Sequence, residues 1–148
     1  MWWRALLAFL ALPGVVAFAV PACWLIAGGR THLVQPLGLL PGLLGVVGLL
    51  WCVRDFYIAG RGTLAPWAPP ERLVVVGLYR YSRNPMYVAV GLILVGWAWS
   101  FGSAGLALYA SCVAIAFHLR VVFGEEPWLA KTHGQAWTDY AMRVRRWF

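Results

Sequence analysis

Four long apolar runs organise the sequence, over residues 5–27, 33–53, 86–101 and 104–123. Three of them reach the roughly 20 residues a helix needs to cross the hydrocarbon core of a bilayer. The run over 86–101 is shorter, a deficit met by local thinning of the bilayer or by a start inside the membrane. Only Gly102 and Ser103 separate the last two runs, so these form a tight antiparallel helical hairpin. The pattern predicts an all-α, polytopic membrane protein with four transmembrane helices. It is one domain over 1–148, with a polar loop over 54–85 and a tail over 124–148 that lies as an interfacial helix. Pro13 and Pro21 should bend the first helix, a distortion neighbouring helices tolerate by bonding the carbonyls it frees. A cleaved leader is the competing reading of that run, since Val20-Pro21-Ala22-Cys23 faintly resembles a lipoprotein cleavage site. The run is too long, and its proline too badly placed, to favour it. In the second run Gly38, Gly42, Gly45 and Gly48 recur at three- and four-residue spacing. They form either a stripe along which another helix approaches closely or the ordinary glycine content of a membrane helix.

Composition strengthens the membrane reading. Of the 148 residues 62% are hydrophobic and 11% charged, against about 45–50% and 25% in soluble domains. The net charge is +7, but the bases border apolar runs and build no basic face interleaved with aromatics. That argues against nucleic acid and for membrane lipids with anionic headgroups. In a four-span arrangement Arg4, Arg54, Arg61, Arg72, Arg80, Arg83, Arg120, Lys131, Arg143, Arg145 and Arg146 fall on one side, and Arg30 on the other. The positive-inside rule then sets both termini and the long loop in the cytoplasm of a bacterial inner membrane. Cys23, Cys52 and Cys112 lie in apolar runs without CxxC spacing and read as buried small hydrophobes, not as a disulfide framework or metal site. His32, His118 and His133 are scattered, with no HExxH, GxSxG, GxxxxGK[ST] or GxGxxG pattern, so zincin, hydrolase, P-loop and dinucleotide-fold chemistry lack support.

Two polar stretches hold the candidate chemistry. Residues 77–87, GLYRYSRNPMY, crowd tyrosines and arginines before a proline that suits the first turn of a helix. Asn84 falls at the N-cap position, and the free N–H groups of that turn suit an anionic group. Tyr79, Tyr81, Tyr87, Arg80 and Arg83 equally suit an interfacial anchor at headgroup depth. Glu125 and Glu126 follow the fourth run directly, and adjacent carboxylates at a membrane boundary are costly unless engaged. Their partner is either Arg120 with loop arginines or a ligand.

The first stretch resembles the G-x-Y-R-x-x-R-H-P-x-Y signature of the isoprenylcysteine carboxyl methyltransferase and phospholipid methyltransferase superfamily. The tail is similar to that family's E-E-x-x-L, F-G-x-x-Y-x-x-Y and V-x-R-W elements, here EEPWLAKTHGQAWTDY over 125–140 and the ending over 144–147. The likeness spans 63–148, with the first two runs alike only as hydrophobic helices. It implies S-adenosylmethionine as cofactor, in a pocket lined by Glu71, Arg72, Leu73, Val74, Tyr79, Arg83, Asn84, Pro85, Met86, Tyr87, Glu125 and Glu126. Asn84, Arg120 and Glu125 would stand nearest the chemistry. Methyl transfer to a lipophilic or membrane-associated acceptor follows, isoprenylcysteine carboxyl methyltransferase-like or, alternatively, phospholipid, small-amine or thiol methylation. The family's histidine is Asn84 here, and the position of its substrate-binding arginine is Val121, with Arg120 one residue earlier. On a regular helix that offset turns the side chain by about 100°. An NADPH-dependent membrane reductase and a non-catalytic accessory protein are the readings from other classes.

Overall fold

The computed structural model describes residues 10–60 and 72–148, with side chains of the first helix from residue 13 onward. Each apolar run contains a helix over these residues. Helix α1 winds through Leu10–Ala19 in the wider π register and continues regularly over Val20–Ala27. A 3-10 turn, Pro36–Gly38, leads into α2, Leu39–Ile58. The hairpin comprises α3, Pro85–Ser100, and α4, Ala104–Arg120. A π-helical turn, Val121–Glu125, joins α4 to α5, Glu126–His133, and α6 is Gln135–Arg143.

Pro21 explains the change of register in α1. It has no N–H, so the carbonyl of Ala17, four residues earlier, has no regular helical partner, and in the π register the same holds for Val16. Side chains of the hairpin supply the missing donors: Trp97 Nε1–H to Ala17 O at 2.9 Å and Tyr109 O–H to Val16 O at 3.0 Å. The glycine stripe of α2 is a contact surface. A methyl group on Gly45 would lie 2.6 Å from the Ala89 carbonyl of α3, and one on Gly96 would lie 2.7 Å from Gly42. The backbones of α2 and α3 therefore touch, and Leu49, Ala89, Val90, Ile93 and Leu94 form the core beside them. The hairpin turns at Gly102, whose φ of 56° favours glycine. Ser103 then caps α4 by accepting the N–H of Leu106 at 3.3 Å.

The boundary expected at 123 is corrected: the helix runs unbroken over Ala104–His133. Glu125 and Glu126 do not end it because both are ion-paired, and Pro127 follows directly on the π-helical turn Val121–Glu125, where the regular hydrogen-bond ladder is already interrupted. The second run also shifts, to Pro36–Ile58. These two helices are long and apolar enough to cross a membrane, and Pro13–Ala27 and Pro85–Ser100 are shorter apolar helices. Only 22% and 11% of the apolar windows of the long pair are buried, whereas a helix apolar all round needs cover from protein or lipid. Leu43, Leu44, Leu108 and Ile115 stand exposed in keeping with lipid cover. Cys52 is buried as expected, but Cys23 and Cys112 are exposed. On an outer apolar surface a thiol is simply one more small hydrophobe.

Candidate functional site

The stretch 77–87 folds over the end of α2. At Gly77, φ is +57°, and the space a side chain would need is taken by the Asp55 carboxylate and the Trp51 indole, so only glycine fits. The 3-10 turn Gly77–Arg80 then separates the tyrosines. Tyr79 is 6% exposed and Tyr81 77%. Thus Tyr81 and Arg80 keep the surface position of an anchor, while Tyr79 belongs to the interior with the half-buried Arg83 and Tyr87.

Helix α3 begins at Pro85 with Asn84 at the N-cap, as the sequence suggests, but the Asn84 side chain makes no cap bond. Its Nδ2 donates instead to the carbonyl of Arg146 at 3.0 Å. Nearby, the Arg83 N–H donates to Arg145 O at 2.9 Å, and the Tyr140 hydroxyl donates to Tyr79 O at 2.7 Å. These bonds join the two motif-bearing stretches, about 60 residues apart in sequence, side by side.

Both glutamates pair with arginines. Glu126 receives a two-pronged bond from Arg146, at 2.9 and 2.8 Å, and lies 3.2 Å from Arg83 Nη1. Glu125 Oε1 accepts the Tyr87 hydroxyl and, at 2.8 Å, Arg120 Nε–H. The π-helical turn is what allows the second contact. A π turn brings residues five apart into line, so Arg120 faces Glu125 despite the one-residue offset, while Val121 is buried. Arg120 thus reaches the Glu125 carboxylate without lining the crevice itself.

A crevice of about 90 Å³ opens between these elements. Of the residues the resemblance singles out, Arg72, Leu73, Val74, Tyr79, Arg83, Asn84, Met86, Tyr87 and Glu125 line it. Pro85, Arg120 and Glu126 do not, because Pro85 is buried in the helix start and the other two are turned to their ion pairs. Glu71 lies outside the described residues. Phe56, Leu129, His133, Trp137 and Tyr140, which complete the wall, were not among the residues assigned to the pocket, although the last four fall at positions of the tail motif, with His133 in place of its phenylalanine and Trp137 in place of its first tyrosine. Spacing carried a signal for two of them: counting by fours from Glu125 reaches Leu129 and His133, one face of the continuous helix. The guanidinium of Arg83 lies 5.5 Å from the ring centre of Trp137, a cation–π arrangement. Burial raises Tyr79 well above the usual phenol range, and it pushes Tyr140 up to about 12 against the opposing pull of Arg83. Two buried polar atoms of the lining, Arg83 Nε and His133 Nε2, have no hydrogen-bond partner among the described residues.

An apolar groove lies between α3 and α4. One part, about 410 Å³, is lined by Tyr87, Gly91, Ala110, Ala114, Phe117, His118 and Trp147 among others. Another, about 680 Å³, continues past Ala107 to the hairpin turn at Gly102 and Ser103. Tyr87 borders both the groove and the crevice, its ring packed 4.4 Å from that of Phe117.

Residues 36–136 match the family described as phospholipid methyltransferase. The matched span begins before residue 63 and takes in α2. No curated protein and no solved structure matches the chain.

Proposed function

The chain belongs to the phospholipid methyltransferase family, and from that premise we propose that it moves a methyl group from S-adenosylmethionine to a lipophilic acceptor at the cytoplasmic face of a membrane. The observation that carries this reading is that the crevice bearing Arg83, Asn84 and Glu125 and the apolar groove share Tyr87 as a wall. In the proposed arrangement the single domain crosses the membrane four times, with its basic side, the crevice and both termini in the cytoplasm. The acceptor's apolar chain lies in the groove between α3 and α4.

The crevice residues fit the proposed cofactor by chemistry. Arg83 Nε–H lacks an acceptor, and Glu125 has lone pairs for a hydroxyl or amino group. Tyr79 and Trp137 offer aromatic surface for a flat ring. At about 90 Å³ the crevice is smaller than the roughly 300–1,000 Å³ usual for ligand pockets, so binding requires its walls to part. When bound, S-adenosylmethionine supplies a methyl group on a cationic sulfur that is its own leaving group. The chain then has to align the acceptor and exclude water, and neither task needs a nucleophilic side chain. Arg120 and Tyr87 hold the Glu125 carboxylate at the side of the crevice nearest the groove.

Thermal unfolding of the detergent-solubilised protein tests the proposal. S-adenosylmethionine or S-adenosylhomocysteine should raise the midpoint and NADPH should not, whereas no shift with the first two would defeat the reading. Glu125→Ala should weaken S-adenosylhomocysteine binding about tenfold or more, with a lower midpoint without ligand because the Tyr87 hydroxyl and Arg120 lose their acceptor. Transfer of labelled methyl groups into a host lipid extract would then identify the acceptor.

A further inference from the structure

Among the described residues four buried side-chain polar atoms have no hydrogen-bond partner: Asp55 Oδ2, Arg83 Nε, Ser100 Oγ and His133 Nε2. Ser100 packs against Gly38, just before α2, and Asp55 against Gly77, and neither lines the crevice. The other two sit on residues of the crevice wall, one just before α3 and one at the end of α5. Burying a polar atom without a partner loses its bonds to water and gains nothing. Two such atoms around one cavity are what a site built for a polar molecule leaves when only the chain is considered.

We infer that His133 is a ligand-contacting residue of the crevice, with its Nε2 hydrogen-bonded to a hydroxyl or amino group of the bound molecule. Two plainer roles for an imidazole at this position do not explain the sealed nitrogen. His133 meets Trp128 edge-on, with ring centres 6.3 Å apart, but phenylalanine would pack there as well and leave no orphaned atom. As the last residue of α5 it also suits the negative end of a helix, yet a side chain in solvent serves that purpose and Nε2 is buried.

The surrounding groups define the ligand. Arg83 Nε–H requires an acceptor, Glu125 requires a donor, and an imidazole nitrogen takes either according to its tautomer. A molecule carrying hydroxyl groups together with a carboxylate and an amine satisfies all three, as an amino-acid-bearing nucleoside does. The assignment rests on the methyl-donor reading above and adds to it a residue of α5.

S-adenosylhomocysteine titrated into the full-length protein provides the test, by calorimetry and by ¹⁵N resonances of the histidine rings. His133→Phe keeps the packing on Trp128 and should lose affinity about tenfold or more. His133→Gln, whose amide reaches the depth of Nε2, should keep affinity within about threefold. The ring resonance that disappears in His133→Gln should shift when the wild-type protein binds. Binding by the wild type, equal binding by His133→Phe and an unmoved ring resonance would overturn the assignment and leave the donor reading intact. No binding by the wild type would overturn the donor reading, and this assignment with it. Should His133→Phe fail to fold, the ring resonance of the wild type decides by itself.

Discussion

The Tyr140 hydroxyl bridges two parts of the chain with one bond, donated to the backbone carbonyl of Tyr79. Burial favours its neutral form, pushing the phenol up to about 12 although Arg83 pulls the other way. In the unfolded chain the same group ionises near 10, so the folded state binds its proton more tightly. This contribution is complete below about pH 10 and fades as pH rises from about 10 to about 12. Tyr79, raised by burial in the same sense, adds to the alkaline loss. Tyr140→Phe orphans the Tyr79 carbonyl and should cost about 1–3 kcal/mol at neutral pH, with a shallower alkaline decline. Unfolding midpoints measured across an alkaline pH series would check both. At this scale the sequence disclosed residue types and their order but few of their partners. The Tyr140–Tyr79 bond and the fork of Arg146 on Glu126 link positions 61 and 20 residues apart, a pairing that neither local propensity nor spacing encodes. Asn84 illustrates the same limit. Its N-cap position was readable, but the carbonyl that its Nδ2 donates to, Arg146 O, comes from a remote segment.

Among the elements, what depends on neighbours in sequence was legible. Pro85 opened α3, Gly102 and Ser103 turned the hairpin, and the spacing of small residues marked the face of α2 that meets α3. The continuation of α4 past residue 123 was not legible, because adjacent glutamates and a proline read locally as an exit from the helix. Only their ion pairs with Arg83, Arg120 and Arg146 neutralise that signal. The π-helical turn was equally hidden, although it carries Arg120 around to Glu125. The glycine contacts give a direct test. Gly45→Ala drives a methyl group to 2.6 Å from the Ala89 carbonyl and should destabilise by about 1–3 kcal/mol. Gly91→Ala meets nothing within 4 Å and gains up to about 1 kcal/mol of helix propensity, so it should be neutral or stabilising. Thermal midpoints of the two variants in one detergent separate these outcomes.

At the scale of the whole molecule, the crevice and the apolar groove lie side by side, with Tyr87 as their common wall. Ala114 borders both parts of the groove, so Ala114→Phe should obstruct it without touching the crevice. On the proposed function, methylation of a long-chain acceptor falls several-fold in this variant while affinity for S-adenosylhomocysteine is unchanged. Radiolabel transfer and calorimetry measure the two separately, and a matching loss of nucleoside affinity would show that the cavities are not independent. The proposed four-span arrangement would also have a consequence for how the chain is assembled. Helix α1 leaves the ribosome before the hairpin, and until Trp97 and Tyr109 arrive the carbonyls of Ala17 and Val16 stand bare in hydrocarbon, at several kcal/mol for each unsatisfied group. On that proposed arrangement, a nascent chain that never completes its hairpin keeps two bare carbonyls in the hydrocarbon.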